Sequence, residues 1–372
     1  MPHPVRYLQS PSYPHSELPV FTSPPPPNSE PPVRAAIFHT NGGPEVITVN
    51  EMPTPRPGPG EVRIRVAASS LNHLDLWMRR GLPIDIPMPH IGGSDIAGTV
   101  DEPGPGVSPG WEGKRVVADP SLNYDWYRLA RLANTRSAPL EIIGEHTQGG
   151  FAQYAVVPAA NLMEIPEGVS DEVAAAGALV GVTAWHGLTS RGGLRAGERV
   201  LVTGASGGVS TMAIQYAHAA GAEVFAITSS EDSVRRVREL GADHVFDRTA
   251  CDWPREVYRA TAKRGIDLCL DSVGEAIWRD LVRALAVGGR LVTFGATTGA
   301  TGMTDIRLLF WRQLSLLGST MGTPAEFRHA MNLVFDGVAT PPIHSVLSLD
   351  EVREAHELLE AGGVFGKIVV RP

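Results

Sequence analysis

Residues 200–215 read VLVTGASGGVSTMAIQ. An apolar run ends at Thr203, glycines follow at 204, 207 and 208, and a helical pattern begins. In a parallel sheet the first strand-to-helix turn is where a diphosphate sits. Glycines let it approach the backbone, and the helix N-terminus offers unpaired N–H groups and a positive dipole end. Where a dinucleotide fingerprint carries its last glycine this chain has Ser210. That glycine serves helix-to-strand packing, so a small serine can take its place with a slight shift. Gly204, Ser206, Gly207, Gly208 and Val209 are therefore expected to form a dinucleotide cradle.

The surroundings support that context. After Pro166, short apolar runs at 199–202, 223–228, 244–247, 266–270 and 290–294 alternate with helical patterns, two of which stop at Gly221 and Gly241. Strand alternating with helix predicts an α/β fold, a doubly wound parallel sheet covered on both faces. From Val33 to about Ile165 the signals are short β runs such as EVRIRVA at 61–67 and FAQYAVV at 151–157, separated by PRPGPGE at 55–61 and EPGPGVSPGW at 102–111. These are the turns of a β-rich domain. A helix over 349–359 and the strand-like KIVV at 367–370 could join either domain. Residues 1–32, with Pro24 to Pro27 and Pro31–Pro32, are too poor in apolar residues to bury themselves and read as an extended arm.

The totals bound the class. At 372 residues two domains are the natural expectation. A formal net charge of −8 with no basic block argues against a nucleic-acid partner. No apolar run approaches the roughly 20 residues that cross a bilayer, so no membrane span is expected. Cys251 and Cys269 are the only cysteines and form no CxxC pattern, which points to free thiols in a reducing, cytoplasmic compartment. The N-terminus lacks the basic and then apolar order of a signal peptide.

The second strand of the sheet selects the dinucleotide. An NAD site has Asp or Glu about 20 residues past the glycines to bind the ribose hydroxyls. Here that position falls near Thr228, followed by Ser229 and Ser230, which can donate to a 2′-phosphate without repelling it, and Arg235 or Arg236 adds positive charge. NADP(H) is favoured. Glu231 and Asp232 have a structural explanation as first-turn acids after a Ser230 N-cap.

The sequence resembles the medium-chain dehydrogenase/reductase superfamily, of the zinc-type alcohol dehydrogenase and quinone oxidoreductase kind. LNHLDLW at 71–77, GGSDIAG at 92–98, VTAWHGL at 182–188, TGASGGVSTMAIQ at 203–215, ELGADHVFD at 239–247 and FGKIVV at 365–370 carry the resemblance, which covers about 33–372. It implies a GroES-like β-rich catalytic domain from 33–165 and 323–372, and a Rossmann NADP(H)-binding domain from 166–322. It also implies a homodimer pairing through the strand at 314–319. Thr183 matches a position that touches nicotinamide, Phe294, Gly295 and Ala296 end a strand where the nicotinamide would lie, and Lys367 matches a position near the diphosphate. Asp271 follows a strand end, where it either lines the site or caps the next helix.

Departures from the resemblance shape the chemistry. Zinc-using members have cysteine, histidine and cysteine where this chain has Asn72, Ser94 and Leu179, and four structural cysteines in the lobe corresponding to 119–145, which here has none. Tetrahedral zinc needs at least three converging His, Cys, Asp or Glu ligands, so no metal is expected. Without a Lewis acid, a hydride donor suits an acceptor whose developing charge hydrogen bonds or protonation can absorb, such as a C=C conjugated to a carbonyl, or a quinone.

The candidate catalytic residues are Asn72, His73, Asp75, Tyr124 and Tyr127. Asn72 and Asp75 match the Asn-x-x-Asp of zinc-free reductases, yet they also suit the cap and first turn of a helix. His73 could supply a proton. Either phenol could donate to a carbonyl, or simply pack. Two alternatives stay open: a zinc-free alcohol or carbonyl dehydrogenase, and a non-redox cyclase, isomerase or NADPH-binding protein on the same fold.

Overall fold

In the computed structural model, which describes residues 30–124 and 140–372, strands β1 (Val33–Ile37) and β2 (Thr48–Met52) pair antiparallel. Next come β3 (Glu61–Ser70), β4 (Asp95–Pro103), β5 (Arg115–Ala118), β6 (Tyr154–Pro158) and β7 (Leu162–Glu164). The parallel sheet follows, built from β8 (Arg199–Val202), β9 (Glu223–Thr228), β10 (His244–Asp247), β11 (Ile266–Asp271), β12 (Leu285–Thr293) and β13 (Ser315–Gly318). Its order is β10-β9-β8-β11-β12-β13, all neighbours parallel. This is the doubly wound dinucleotide order, which opens a crevice beyond the carboxyl ends of the strands where the chain reverses direction, beside β8.

The last two strands, β14 (Ile343–Ser348) and β15 (Lys367–Arg371), return to the first domain. They complete a seven-stranded sheet in the order β14-β15-β3-β4-β5-β7, with β6 also on β3. KIVV therefore belongs to the β-rich sheet. The helix before it opens as a 3₁₀ turn at Leu349–Glu351.

Helix α1 (His73–Arg80) follows β3 and carries the first candidate residues. Its N-cap is Asn72, and Asp75 at the third position accepts from the Asn72 backbone N–H at 2.8 Å. Arg79 and Arg80 favour the negative dipole end, and Gly81 at φ +107° ends the helix. Arg79 is fully buried, and its guanidinium is held by Glu360 of the C-terminal helix Val352–Ala361, which Arg80 also reaches at 2.9 Å. This clamp fixes the helix that presents Asn72.

Helix α2 (Asp171–His186) lies between the domains. It packs on β3, β4 and β15 on one side, and on α3 (Gly208–Ala219) and the helix Pro324–Phe335 on the other. That position explains its run of Ala174, Ala175, Ala176, Gly177 and Ala178: neighbours on every side leave room only for small side chains. With its final π-type turn it spans Asp171–Arg191, 21 residues long and apolar enough to cross a bilayer, which corrects the expectation from the sequence. The reason for its hydropathy is burial, since 72% of its most apolar window is inside the protein.

Replacing Glu360 with alanine strands the buried Arg79 charge. The expected cost is about 3–5 kcal/mol of unfolding free energy. Urea denaturation with an unchanged m-value checks it, and a loss under about 1 kcal/mol would contradict the clamp.

Candidate active site

The glycine turn has the geometry of a phosphate cradle. Gly204 adopts φ +53°, and Ser210 turns its hydroxyl back to the Thr203 carbonyl at 2.8 Å, so the serine ties helix to strand where a glycine would only have allowed close packing. Gly207 caps α3 with no side-chain hydrogen bond, and the first turn carries no acid. The first N–H groups of a helix have no intrahelical acceptor, so this end is left to an external anion. Gly366 of the other domain donates its N–H to the Ser206 carbonyl at 2.7 Å, which fastens the cradle to the β-rich sheet. Val209, half-buried, packs against the main core.

Beside the cradle, the Ser206 hydroxyl lies 3.3 Å from Thr228 Oγ1 and 3.1 Å from Ser233 Oγ, and Ser233 Oγ is 2.8 Å from Ser230 Oγ. Ser230 caps α4 (Glu231–Glu239) by accepting from the Ser233 N–H, and Ser229 is exposed. Arg235 lies on the exposed face of α4. It projects outward and pairs with Asp232 at 3.0 Å and Glu239 at 3.2 Å on its own helix. Arg236, one residue on, sits 3.8 Å above the Phe365 ring, next to the Gly366 contact with the cradle. A 100° step along the helix separates the two outcomes.

Asp271 closes a turn. Its buried carboxylate accepts from Thr203 Oγ1 at 2.6 Å and from the N–H groups of Val273 and Gly274 at 3.1 Å, so it closes the turn after β11. Burial raises its pKa against those hydrogen bonds. Phe294, Gly295 and Ala296 follow β12, with Phe294 and Gly295 half-buried and Ala296 exposed. Thr183 is buried in α2, donating to the Leu179 carbonyl at 2.7 Å with Met321 Sδ 3.9 Å away.

The polar centre lies where β3, β4, α1, α2 and β15 meet. Asp95, fully buried, accepts from Ser70 Oγ at 2.6 Å, the Leu179 N–H at 2.8 Å, Asn72 Nδ2 at 2.9 Å and Lys367 Nζ at 3.2 Å. Lys367 also donates to the Leu71 carbonyl at 2.6 Å and to Asn72 Oδ1 at 2.5 Å. The lysine stem passes the cradle, where a Cβ on Gly208 would come within 2.7 Å of its Cδ, but the ammonium continues to Asn72 and Asp95.

This arrangement decides the Asn72 amide. An ammonium only donates and a carboxylate only accepts, so Oδ1 must face Lys367 and Nδ2 must face Asp95. Asp75 does not share the cleft. It is buried, and its oxygens accept from the Asn72 and Gly93 N–H groups at 2.8 and 2.9 Å. Burial outweighs those bonds and pushes the carboxyl up to about 6. His73 is open to solvent yet crowded: burial, then Lys367 and Arg80, lower its pKa. Tyr124 meets His186 at 3.1 Å, and Tyr127 falls outside the described residues.

Zinc does not fit these residues. Among the described residues no three of His, Cys, Asp and Glu converge as metal ligands. The Lys367 ammonium is already the cation of Asp95, Leu179 contributes only its N–H, and Ser94 Oγ is one buried hydroxyl without a partner. A cavity of about 530 Å³ lined by Val33, Met52, Arg56, Gln148 and Tyr154 shares no residue with the Asp95 cluster and lies away from the cradle.

The interaction of Asp95 and Lys367 and the hydrogen-bonded chain from Tyr124 escaped the sequence. Their partners stand far apart along the chain, and neither Lys367 nor His186 lies in a polar pattern that marks it. Asp95 had a signal, as the one carboxylate in GGSDIAG.

A Rossmann sheet with an uncapped glycine turn, docked through that turn on a β-rich domain, has the architecture of a dinucleotide-binding protein. Comparison with known proteins agrees. Residues 58–167 match the alcohol dehydrogenase GroES-like domain, and residues 208–336 match the zinc-binding dehydrogenase family. The chain is 29% identical over 333 residues to acryloyl-coenzyme A reductase of Sulfurisphaera tokodaii, covering 87% of this chain and 96% of that protein. A solved NAD-dependent alcohol dehydrogenase superposes with TM-score 0.86 at 41% identity, covering 91% of this chain and 99% of the other. Crotonyl-CoA carboxylase/reductase AntE in complex with NADP does so with TM-score 0.84 at 26% identity, covering 94% and 97%. The chain belongs to the medium-chain dehydrogenase/reductase superfamily, and it is an NAD(P)H-dependent oxidoreductase.

Three buried carboxyls give the protein a pH signature. Burial pushes Asp119 up to about 7, burial and the nearby Asp75 push Glu145 up to about 7, and Asp75 itself stands at about 6. The folded chain keeps protons that the unfolded chain releases near pH 4, so this contribution is full below pH 4 and is lost as pH rises to about 7. Asp119→Asn is expected to flatten that fall by roughly 2 kcal/mol. Unfolding free energies at pH 4.5 and 7.5 check it, and an unchanged slope would refute it.

Proposed function

We propose that this chain is a zinc-independent, NADPH-dependent reductase of a C=C conjugated to a carbonyl. The observation that carries this reading is the Asn72 amide locked between Lys367 and Asp95. It keeps one N–H of Nδ2 for a substrate oxygen, at a place where the residues provide a hydrogen-bond donor and no Lewis acid. A reduced nicotinamide, held by the residues of the crevice, would supply the hydride for the β-carbon. The chain's part is to hold the diphosphate at Gly204 to Val209, to seat the ring near Thr183 and Phe294 to Ala296, and to set a donor against the carbonyl oxygen as charge collects there. The acryloyl-CoA and crotonyl-CoA names of its relatives support this substrate class. The 41% identity to an NAD-dependent alcohol dehydrogenase keeps a zinc-free carbonyl dehydrogenase as the second reading.

The preference for NADPH rests on the hydroxyls of Ser206, Thr228, Ser230 and Ser233 and on Arg236, with no acid at the end of β9. The chain divides at 165/166 and 322/323 into the two functional domains, on this reading. It also pairs as a homodimer. β13 is an edge strand, and the helix before it, Ile306–Arg312, exposes Ile306, Phe310 and Trp311. Unpaired edge strands with apolar neighbours seek a partner. Sedimentation should give twice the chain mass for the native protein and one chain mass for Trp311→Glu, and a monomeric native protein would refute the pairing.

The central experiment titrates metal-analysed protein with NADPH and NADH and follows nucleotide oxidation with enones, enoyl thioesters, quinones and simple aldehydes. Oxidation of NADPH by an enone or enoyl thioester, without zinc, is the expected result. Steady turnover of aldehydes alone would favour the dehydrogenase, and tight binding without oxidation by any acceptor would favour a non-redox role. Arg236→Ala is expected to lower the NADPH-to-NADH affinity ratio by about 10- to 100-fold, the worth of one charge-assisted contact, while Arg235→Ala leaves it near native.

A further inference from the structure

The far end of α2 carries a polar cluster separate from the Asp95 centre. Tyr124, which follows β5, places its phenol oxygen 3.1 Å from His186 Nε2. On the ring's other side, His186 Nδ1 lies 3.0 Å from both oxygens of Glu326. Glu326 also accepts from the Thr323 N–H at 2.8 Å, from Thr323 Oγ1 at 2.9 Å and from the Ser190 hydroxyl. Burial opposes its ionisation, but the hydrogen bonds from His186, Ser190 and Thr323 outweigh burial and hold the carboxyl down at about 2.

The protons in this chain follow from what each group can do. An ionised carboxylate only accepts, so the His186 proton is on Nδ1, and Nε2 offers its lone pair to the Tyr124 O–H. When the ring gains a second proton, Nε2 becomes a donor to the phenol oxygen. The phenol hydrogen is then released for another acceptor. The carboxylate fixes the ring's orientation, as an acid orients a histidine in a hydrolase triad.

The cluster stands at the wall of the cofactor crevice. His186 is one helical turn beyond Thr183, whose hydroxyl approaches Met321 Sδ. Gly322 is packed so tightly on α2 that a Cβ there would come within 2.5 Å of the Val182 side chain and 3.2 Å of His186 Cβ. Met321 and Gly322 follow the carboxyl end of β13, the side of the sheet on which dinucleotides bind. Tyr124 comes from the β-rich domain and His186 from the helix between the domains, so the phenol sits where the two meet.

We propose that Tyr124 delivers the proton that completes the reduction and that His186, oriented by Glu326, recharges it. This rests on the reductase reading above. Hydride addition at the β-carbon leaves an electron pair shared by the α-carbon and the carbonyl oxygen. The Tyr124 O–H bond breaks as the α-carbon C–H bond forms. The phenolate oxygen takes the Nε2 proton of the His186 imidazolium, the neutral ring keeps its Nδ1–H on Glu326, and water reprotonates Nε2 before the next turnover. One hydride and one proton enter the substrate, its C=C is reduced and the nicotinamide is oxidised.

The test compares native protein, Tyr124→Phe and His186→Gln on an enone and on a quinone, in H2O and D2O. A quinone takes its protons on oxygen, readily from water, whereas the α-carbon needs a placed donor. For Tyr124→Phe, kcat on the enone is expected to fall about 100-fold, in the range of a lost general acid, with KM and NADPH affinity near native. The fall on the quinone should be at least about tenfold smaller. Glutamine at 186 keeps a hydrogen bond to the phenol but cannot carry its proton, so His186→Gln should lose about tenfold on the enone and show a larger solvent isotope effect than native. Equal losses on both acceptors would mark a packing role and overturn the relay, as would no loss on the enone. Native protein that reduces neither acceptor would overturn the reductase reading and the relay with it.

Discussion

The buried carboxylate of Asp95 is the constraint on which the rest of the site depends. A fully buried charge costs several kcal/mol in desolvation unless its oxygens are satisfied. Asp95 is satisfied from four directions at once, by Ser70 on β3, Asn72 at the start of α1, the Leu179 N–H on α2 and Lys367 on β15. Each donor belongs to a different element, so meeting the needs of one carboxylate sets the relative positions of the strand, both helices and the C-terminal strand. A buried ion pair of this kind is weak evidence of net stability, because the attraction largely repays desolvation. Its effect here is orientation.

That orientation reaches both functional regions through Lys367. The lysine stem runs past Gly208, where any side chain would collide with it, and the residue before it donates its N–H to the cradle carbonyl of Ser206. Gly366 can do this because it adopts φ +84°, and a Cβ there would fall 2.0 Å from the Pro342 carbonyl. Two consecutive residues of the C-terminal segment thus join the phosphate turn of one domain to the amide of Asn72 in the other. The glycine turn and the Asn72 amide share a single backbone support.

The site also divides its charged groups by environment. Glu326 is held ionised by donors on three sides, while Asp119, Glu145 and Asp75 are pushed up by burial. The same residue type therefore serves as a fixed anion near His186 and as a proton-holding group near Gly93. The balance of hydrogen-bond supply against depth separates the two behaviours: the donors around Glu326 outweigh its burial, whereas burial outweighs the two N–H bonds to Asp75.

Much of the fold was legible in the order of residues, because its signals are local. Glycine and apolar periodicity at 200–215 announced the cradle, alternating runs announced the parallel sheet, and Asn72 with Asp75 announced the start of α1. The sequence also showed that Asn72, Ser94 and Leu179 stand where zinc-using members of the resembled family carry cysteine, histidine and cysteine. Only the tertiary structure decided where side chains point and what they meet. Arg235 and Arg236 are neighbours in sequence, yet one faces solvent and the other stacks on Phe365, because helix rotation and a contact from the opposite end of the chain choose between them. Asp95 and Lys367 are 272 residues apart, and His186 and Glu326 are 140 apart. No local pattern encodes such pairs. They form because the last strand returns to the first sheet and α2 is pressed between both domains, which is a property of the packed chain and not of any segment within it.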